Sequence, residues 1–197
     1  YQISDKESLS FDVLKGRLFN RLKRIEHESL IKKAIGKNKA QLQIFDATAG
    51  SLIDTIIFLK LGHKVVACEQ SKILFRLLND AILRAKKEYD FFDNLSFINS
   101  DSALIIDSYL NSDVFYFDPM FEEVKQNIKR SGTLQKIGNV LSFEKLEDTS
   151  AQIFDHMLKK KYKKVIVKRP IKSNPLYEKI NYQVKGKAIR YDVYVKT

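Results

Sequence analysis

The chain has 197 residues, 44% of them hydrophobic and 30% charged, a balance that suits one globular domain with a short appendage and excludes a disordered chain. No apolar run approaches the roughly 18 residues needed to span a bilayer, no signal peptide stands at the start, and a lone cysteine, Cys68, cannot form an internal disulfide, which suits a cytoplasmic location. The formal net charge of +11 admits two readings, solubility alone or a polyanionic partner whose phosphates release counterions to a basic surface.

In chain order, residues 1–40 read as a basic N-terminal extension, mainly helical, with Lys15, Arg17, Arg21, Lys23, Arg24, Lys32 and Lys33. Ser29 to Ile35 is expected to be a helix ended by Gly36. The extension is either a solvated amphipathic segment beside the core or part of an RNA-facing surface. From residue 41 onward the pattern is β-α repeated. Leu42–Phe45 is a first strand, Ser51–Leu61 a helix stopped by Gly62, and Lys64–Cys68 a second strand. Ser71 can cap a helix running to about Lys87. Leu95–Ile98 and Val114–Phe117 are the third and fourth strands. Residues 121–142 read as a loop with partial helix, Ser142–Lys161 as one helix, and Lys164–Val167 as a fifth strand. INYQVKG and AIRYDVYV close the chain as two strands joined around Gly186. Helical crossovers imply parallel strands. The expected architecture is α/β: a Rossmann-like sheet over residues 41–197, mostly parallel, with a C-terminal antiparallel hairpin of the kind that closes a class I methyltransferase sheet.

The chemistry concentrates after the strands. Leu42 to Asp54, LQIFDATAGSLID, is a buried strand feeding a tight turn into a helix, and Gly50 lets a ligand approach the backbone. Asp46, Glu69, Asp101 and Asp118 each follow a strand, which in a parallel sheet places them on one edge, where such folds bind ligands. Glu69 lies roughly 20 residues past the turn, where an acid accepts hydrogen bonds from ribose hydroxyls. Asp101, with Ser102, can accept from an adenine amino group or cap the next helix. Asp46 and Asp54 flank the turn. Carboxylates there suit a ligand with an ammonium and a sulfonium and repel a pyrophosphate, favouring S-adenosylmethionine over a dinucleotide. The glycine fingerprint of dinucleotide folds is also missing. Three scattered histidines, His27, His63 and His156, form no metal pattern.

Asp118-Pro119-Met120-Phe121 is the second informative string. It resembles the (Asp/Asn)-Pro-Pro-(aromatic) motif of methyltransferases that act on exocyclic amines. A ring-conjugated amine has a delocalised lone pair. An Asp oxygen and backbone carbonyls beside Pro119 can accept its hydrogens, Phe121 can stack on the base, and transfer then depends mostly on positioning. A tight turn after the strand would also explain the string.

Beyond these motifs the chain resembles a known family, the bacterial small-subunit ribosomal RNA guanine-N2 methyltransferases that modify 16S rRNA. The resemblance spans roughly Phe11 to Val195 and rests on FDVLKG, on DATAG at Asp46–Gly50, on Glu69, on YFDPMF at Tyr116–Phe121, on VKRP at Val167–Pro170 and on RYDVY at Arg190–Tyr194. It implies a class I fold, S-adenosylmethionine as methyl donor and a guanine amino group in ribosomal RNA, naked or in the small subunit, as acceptor. Carried over, cofactor contacts come from Ile53, Asp54, Glu69, Gln70, Asp101, Ser102 and Asp118. Asp118 and Phe121 also present the base. Lys168 and Arg169 either meet phosphate or form a solvated strand end. The family continues DATAG with Leu-Gly-Arg-Asp, whereas here Ser51-Leu52-Ile53-Asp54 follows and Glu122 replaces a proline. Leu52 in place of glycine is expected to narrow the cofactor pocket, so the second reading is a non-catalytic RNA-binding relative.

Overall fold

The computed structural model describes residues 2–4, 7–13, 15–36, 40–119, 132–147 and 149–196. A small antiparallel pair, β1 (Gln2–Ser4) and β2 (Glu7–Ser8), precedes two short helices, α1 (Gly16–Lys23) and α2 (Ser29–Ile35). Gly36 ends α2 at φ 114°, a left-handed value that favours glycine. The rest alternates strand and helix: β3 (Gln43–Asp46), α3 (Ile53–Lys60), β4 (Lys64–Glu69), α4 (Lys72–Lys86), β5 (Leu95–Asn99), α5 (Ser102–Ile105) and β6 (Val114–Phe117). Then come α6 (Gly132–Phe143), α7 (Ser150–Lys159), β7 (Lys164–Pro170), β8 (Tyr182–Lys185) and β9 (Ile189–Val195).

The main sheet has the order β5-β4-β3-β6-β7-β9-β8. The five strands from β5 to β7 run parallel, and β9 inserts antiparallel between β7 and β8. The chain reverses its direction of winding between β3 and β6, and their C-terminal ends form the crevice where such sheets take ligands.

Two-residue alternation sorts the strand side chains onto two faces. Ile44, Val114, Tyr116, Ile166, Tyr191 and Val193 join α3 and α4 in one core, which also takes Leu22 of α1 and Ile31, Ala34 and Ile35 of α2. Phe45, Phe115, Phe117, Val165, Val167 and Tyr194 face Ile153, Phe154 and Met157 of α7 in the second. In α4, Leu74, Leu78, Ala81, Ile82 and Ala85 recur at helical spacing and are buried. Ser71 caps this helix, its hydroxyl accepting from the Leu74 N–H at 3.0 Å.

The expected helix over Ser142–Lys161 is shorter, α7 alone, and Ser142 and Phe143 belong to the end of α6. α6 ends at Phe143, Lys145 takes a left-handed φ of 54°, and α7 begins at Ser150. The break is held by a distant element. Glu144 accepts from the Ser71 hydroxyl and, at 3.2 Å, from the Ile73 N–H at the start of α4. Of the expected loop over 121–142, residues 132–142 are helix and 121–131 lie outside the described residues.

Candidate active site

The turn after β3 is stitched across the neighbouring strand ends. Ala47 N–H donates to Tyr116 O at 3.0 Å and Ala49 N–H to Cys68 O at 3.1 Å. Thr48 presents its hydroxyl oxygen to the Asp118 N–H at 2.6 Å, tying this turn to the Asp118-Pro119 string. Gly50 follows at φ 50°.

Leu52 is also left-handed, at φ 60°, and caps α3 from a conformation that costs a non-glycine residue roughly 1–2 kcal/mol. Its side chain is 0% exposed and packs in the core with Ile56 and Leu59. Burying a leucine stabilises by about 1.5–3 kcal/mol, enough to offset that cost. Leu52 therefore points into the protein, and the expected narrowing of the pocket does not occur by this side chain.

The four strand-end acids share one rim because their strands are parallel neighbours. Asp46 is 1% exposed and accepts from the Thr48 N–H at 3.1 Å and from the Thr55 hydroxyl. Burial pushes its pKa up to about 7, against the pull of those hydrogen bonds, and the charges of Asp54 and Asp118 add to the rise. Glu69 is 6% exposed and accepts from the Ser71 N–H at 2.8 Å. Burial lifts it to about 7 as well, opposed by the Ser71 and Gly50 N–H groups and aided by Glu144. Asp101 caps α5, accepting from the Ala103 N–H at 2.9 Å, and Ser102 beside it is buried. Gln70 donates to Glu147 O at 3.1 Å, and Ile53 opens α3 with 38% exposure.

Asp54 and Asp118 meet through a cation. The Lys168 ammonium lies 2.7 Å from Asp54 Oδ2 and 2.8 Å from Asp118 Oδ2. The buried Tyr116 hydroxyl donates to the same Asp54 oxygen at 2.6 Å. Asp54 Oδ1 is buried with no hydrogen-bond partner among the described residues. Asp118 keeps 35% of its side chain accessible yet stands in a crowded recess. Burial raises its pKa, Lys168 pulls it down and Asp54 raises it again. For Lys168, burial opposes the charge and the two carboxylates more than offset it, so its pKa lies above the ordinary lysine value. Tyr191 of β9 faces the same cluster, its hydroxyl made a weaker acid by burial and by the Asp54 charge. Cys68, on the opposite face, is buried with its thiol pushed up to about 12 by burial, so it is chemically inert at neutral pH.

Of the residues expected from sequence, Asp46, Gly50, Asp54, Glu69, Asp101, Ser102, Asp118 and Pro119 lie at or just beyond the C-terminal ends of β3 to β6. Phe121 lies outside the described residues. Lys168 and Arg169, expected either to meet phosphate or to form a solvated strand end, both have partners within the protein. Lys168 is turned onto Asp54 and Asp118, and Arg169 is buried with two nitrogens donating to Asn174 O at 3.0 and 2.6 Å. Thr48, Thr55, Tyr116 and Tyr191 join the site beyond the residues expected from sequence. Tyr116 and Lys168 had a legible signal, since each sits on its strand in step with the site-facing residues.

The orphaned Asp54 oxygen and the paired acids fit a ligand that brings a positive charge and several donors, such as the ammonium, sulfonium and ribose of S-adenosylmethionine. Among the described residues no helix is long and apolar enough to cross a membrane, and no group of His, Cys, Asp and Glu could hold a metal.

A family described as "Putative SAM-dependent methyltransferase" matches residues 2–196. Similar proteins include the Ribosomal RNA small subunit methyltransferase J of Bdellovibrio bacteriovorus, 30% identical over 198 residues, with 97% of this chain and 75% of that protein covered. The protein of the same name from Francisella philomiragia is 33% identical over 196 residues, covering 96% of this chain and 81% of that one. A solved SAM-dependent methyltransferase from Neisseria gonorrhoeae superposes with a TM-score of 0.71 at 24% identity, over 97% of this chain and 76% of the other, a likeness of fold.

Proposed function

From the premise that this chain belongs to the family of putative SAM-dependent methyltransferases, we propose that it transfers a methyl group from S-adenosylmethionine to the N2 amine of a guanine in small-subunit (16S) ribosomal RNA. The observation that carries the reading is the convergence of Asp54, Lys168 and Asp118 at the strand switch point, with an unpartnered Asp54 oxygen beside them.

Bound S-adenosylmethionine supplies an electrophilic methyl carbon on a positive sulfonium. Glu69 receives the ribose hydroxyls, Asp101 and Ser102 the adenine edge, and the Gly50 turn with Asp54 the charged amino-acid end. Asp118, fixed through its N–H to Thr48, accepts a hydrogen from the guanine amine. That hydrogen bond draws the nitrogen lone pair out of conjugation with the ring, and a Pro119-side carbonyl is its second acceptor. Phe121 is the stacking partner for the base. Most of the acceleration comes from orientation, with Asp118 also receiving the proton that the alkylated nitrogen sheds. The target guanine must be unstacked or lie in a loop to enter.

The basic surface that RNA requires comes from the net charge of +11, including exposed Lys15, Lys23, Arg24 and Lys33 of the N-terminal segment. The cytoplasm, where ribosomal subunits are assembled, is the matching compartment. The core position of Leu52 weighs against the reading as a relative without cofactor.

The test is methylation of small subunits and of naked 16S rRNA with labelled S-adenosylmethionine, with the product nucleoside identified as N2-methylguanosine. Micromolar binding of S-adenosylhomocysteine by calorimetry is expected alongside it. Normal cofactor binding without labelled product on either RNA form would refute the proposed substrate, and no binding would restore the non-catalytic reading.

A further inference from the structure

Lys168 stands one residue beyond the last β6–β7 pair, Phe117 with Val167, and so is level with Asp118. Its ammonium makes two hydrogen bonds, one to the carboxylate that flanks the Gly50 turn and one to the carboxylate of the Asp118-Pro119 string. Two negative groups therefore share one positive group in a recess where Lys168 itself is only 22% exposed. Among the described residues, Asp46 from β3, Tyr116 from β6 and Tyr191 from β9 also interact with Asp118, and Arg21 of α1 interacts with Asp54 and Tyr191. Arg21 itself is held by Glu28 at 2.7 and 2.8 Å. Among the described residues, Lys168 is the cation within hydrogen-bond reach of Asp118.

We propose that Lys168 is a positioning residue for methyl transfer, keeping Asp118 ionised and aimed as a hydrogen-bond acceptor while its other bond locks Asp54. The inference rests on the proposed reaction for its consequence, and on the charge geometry for its cause. A protonated carboxyl donates where the reaction needs an acceptor. Without the ammonium, Asp118 would face Asp54 as a like charge in a poorly solvated recess and would hold its proton to higher pH. Lysine suits the task because its compact charge can sit between two oxygens of different side chains. A phosphate-binding lysine at this position would instead be free of both acids until RNA arrives.

The experiment is a carbon-detected NMR titration of the Asp118 carboxyl in the ligand-free full chain, for wild type, Lys168→Met and Lys168→Arg, together with the pH profile of kcat. In K168M the Asp118 midpoint is expected to rise by at least about one pH unit, the usual reach of a close opposite charge. Activity of K168M should fall about tenfold at neutral pH and recover toward pH 9, and K168R should return both readouts close to wild type. If K168M does not fold, Asp54→Asn carries the test with the opposite sign. It gives the ammonium wholly to Asp118, whose midpoint should then fall. An Asp118 midpoint that moves in neither variant overturns the proposal. So does a loss of activity in folded K168M that is the same at every pH. The titration needs no substrate. Wild-type protein that methylates no RNA therefore defeats the proposed function and leaves standing only the hold of Lys168 on the Asp118 charge, whereas an unmoved midpoint in an active enzyme defeats this inference and leaves the proposed function standing.

Discussion

Tyr191 and Asp192 are consecutive residues of β9, and they look onto two buried charge clusters on opposite faces of the sheet. On the Asp192 side, Arg190 donates to both Asp192 oxygens at 2.8 and 3.1 Å and to the carbonyls of Pro170 and Ile171 at 2.9 and 3.0 Å. Gln183 adds a further donor to Asp192 Oδ1 at 2.7 Å. One acid meets one base, and their nitrogens and oxygens are all used. On the Tyr191 side, two acids share Lys168 and one Asp54 oxygen has no partner among the described residues. Burial is comparable in depth, with Asp192 at 0% and Asp54 at 6% exposure, but the stoichiometry differs. The closed cluster pins β7, β8 and β9 together. Among the described residues the open one is short of positive charge and of donors, an arrangement that suits a cationic, donor-rich ligand.

The sharpest way to break this contrast is to remove one charge from the closed cluster. Arg190→Met leaves the Asp192 carboxylate buried without its cation, with only Gln183 of the donors named above, and should cost about 3–5 kcal/mol of stability in chemical denaturation. A loss of under about 1 kcal/mol would mean that the pair contributes no more than an exposed ion pair does. In the open cluster the largest effect falls on chemistry. Asp118→Ala should lower methyl transfer about 100-fold or more, near 2.7 kcal/mol in the barrier, while the melting temperature stays close to wild type. Loss of folding instead of turnover would move Asp118 into the structural class.

Asp46 supplies a pH test of the same rim. Its pKa is raised from an ordinary 3.8 to about 7, so the folded state holds the proton more tightly than the unfolded chain. The associated stability is complete below about pH 4 and is lost as pH rises through 7. Between pH 6 and 8 one such group should forfeit about 1.4 kcal/mol. Asp46→Asn, which keeps an acceptor for Thr48 N–H, should flatten the decline, with Glu69 supplying what remains. Equal declines in wild type and D46N would show that Asp46 does not titrate there. The smallest effect belongs to Asp101. Asp101→Ala removes the α5 cap and should cost about 1 kcal/mol of stability. A drop of more than about tenfold in S-adenosylhomocysteine affinity would add an adenine contact to the capping role, and unchanged affinity would leave capping alone.

Legibility followed the range of the interaction. Strand-end acids, the Gly50 turn and the Ser71 cap could be read directly, because each depends on residues within a few positions of one another. Lys168 was recognisable as a cation near the site, but its partners stand 114 and 50 positions earlier in the chain. The helix break at Glu144 carries no local stop signal. It exists because Ser71 and the α4 N-terminus take that carboxylate from a helix more than 70 residues away.

By itself the sequence determined the β-α rhythm, the parallel rim of acids and the closing antiparallel hairpin, since apolar periodicity and turn chemistry are local properties of the chain. Only the tertiary structure decided which charges meet and where Leu52 points. Those outcomes depend on which distant surfaces share a recess, and on a core deep enough to hold a leucine in a left-handed turn.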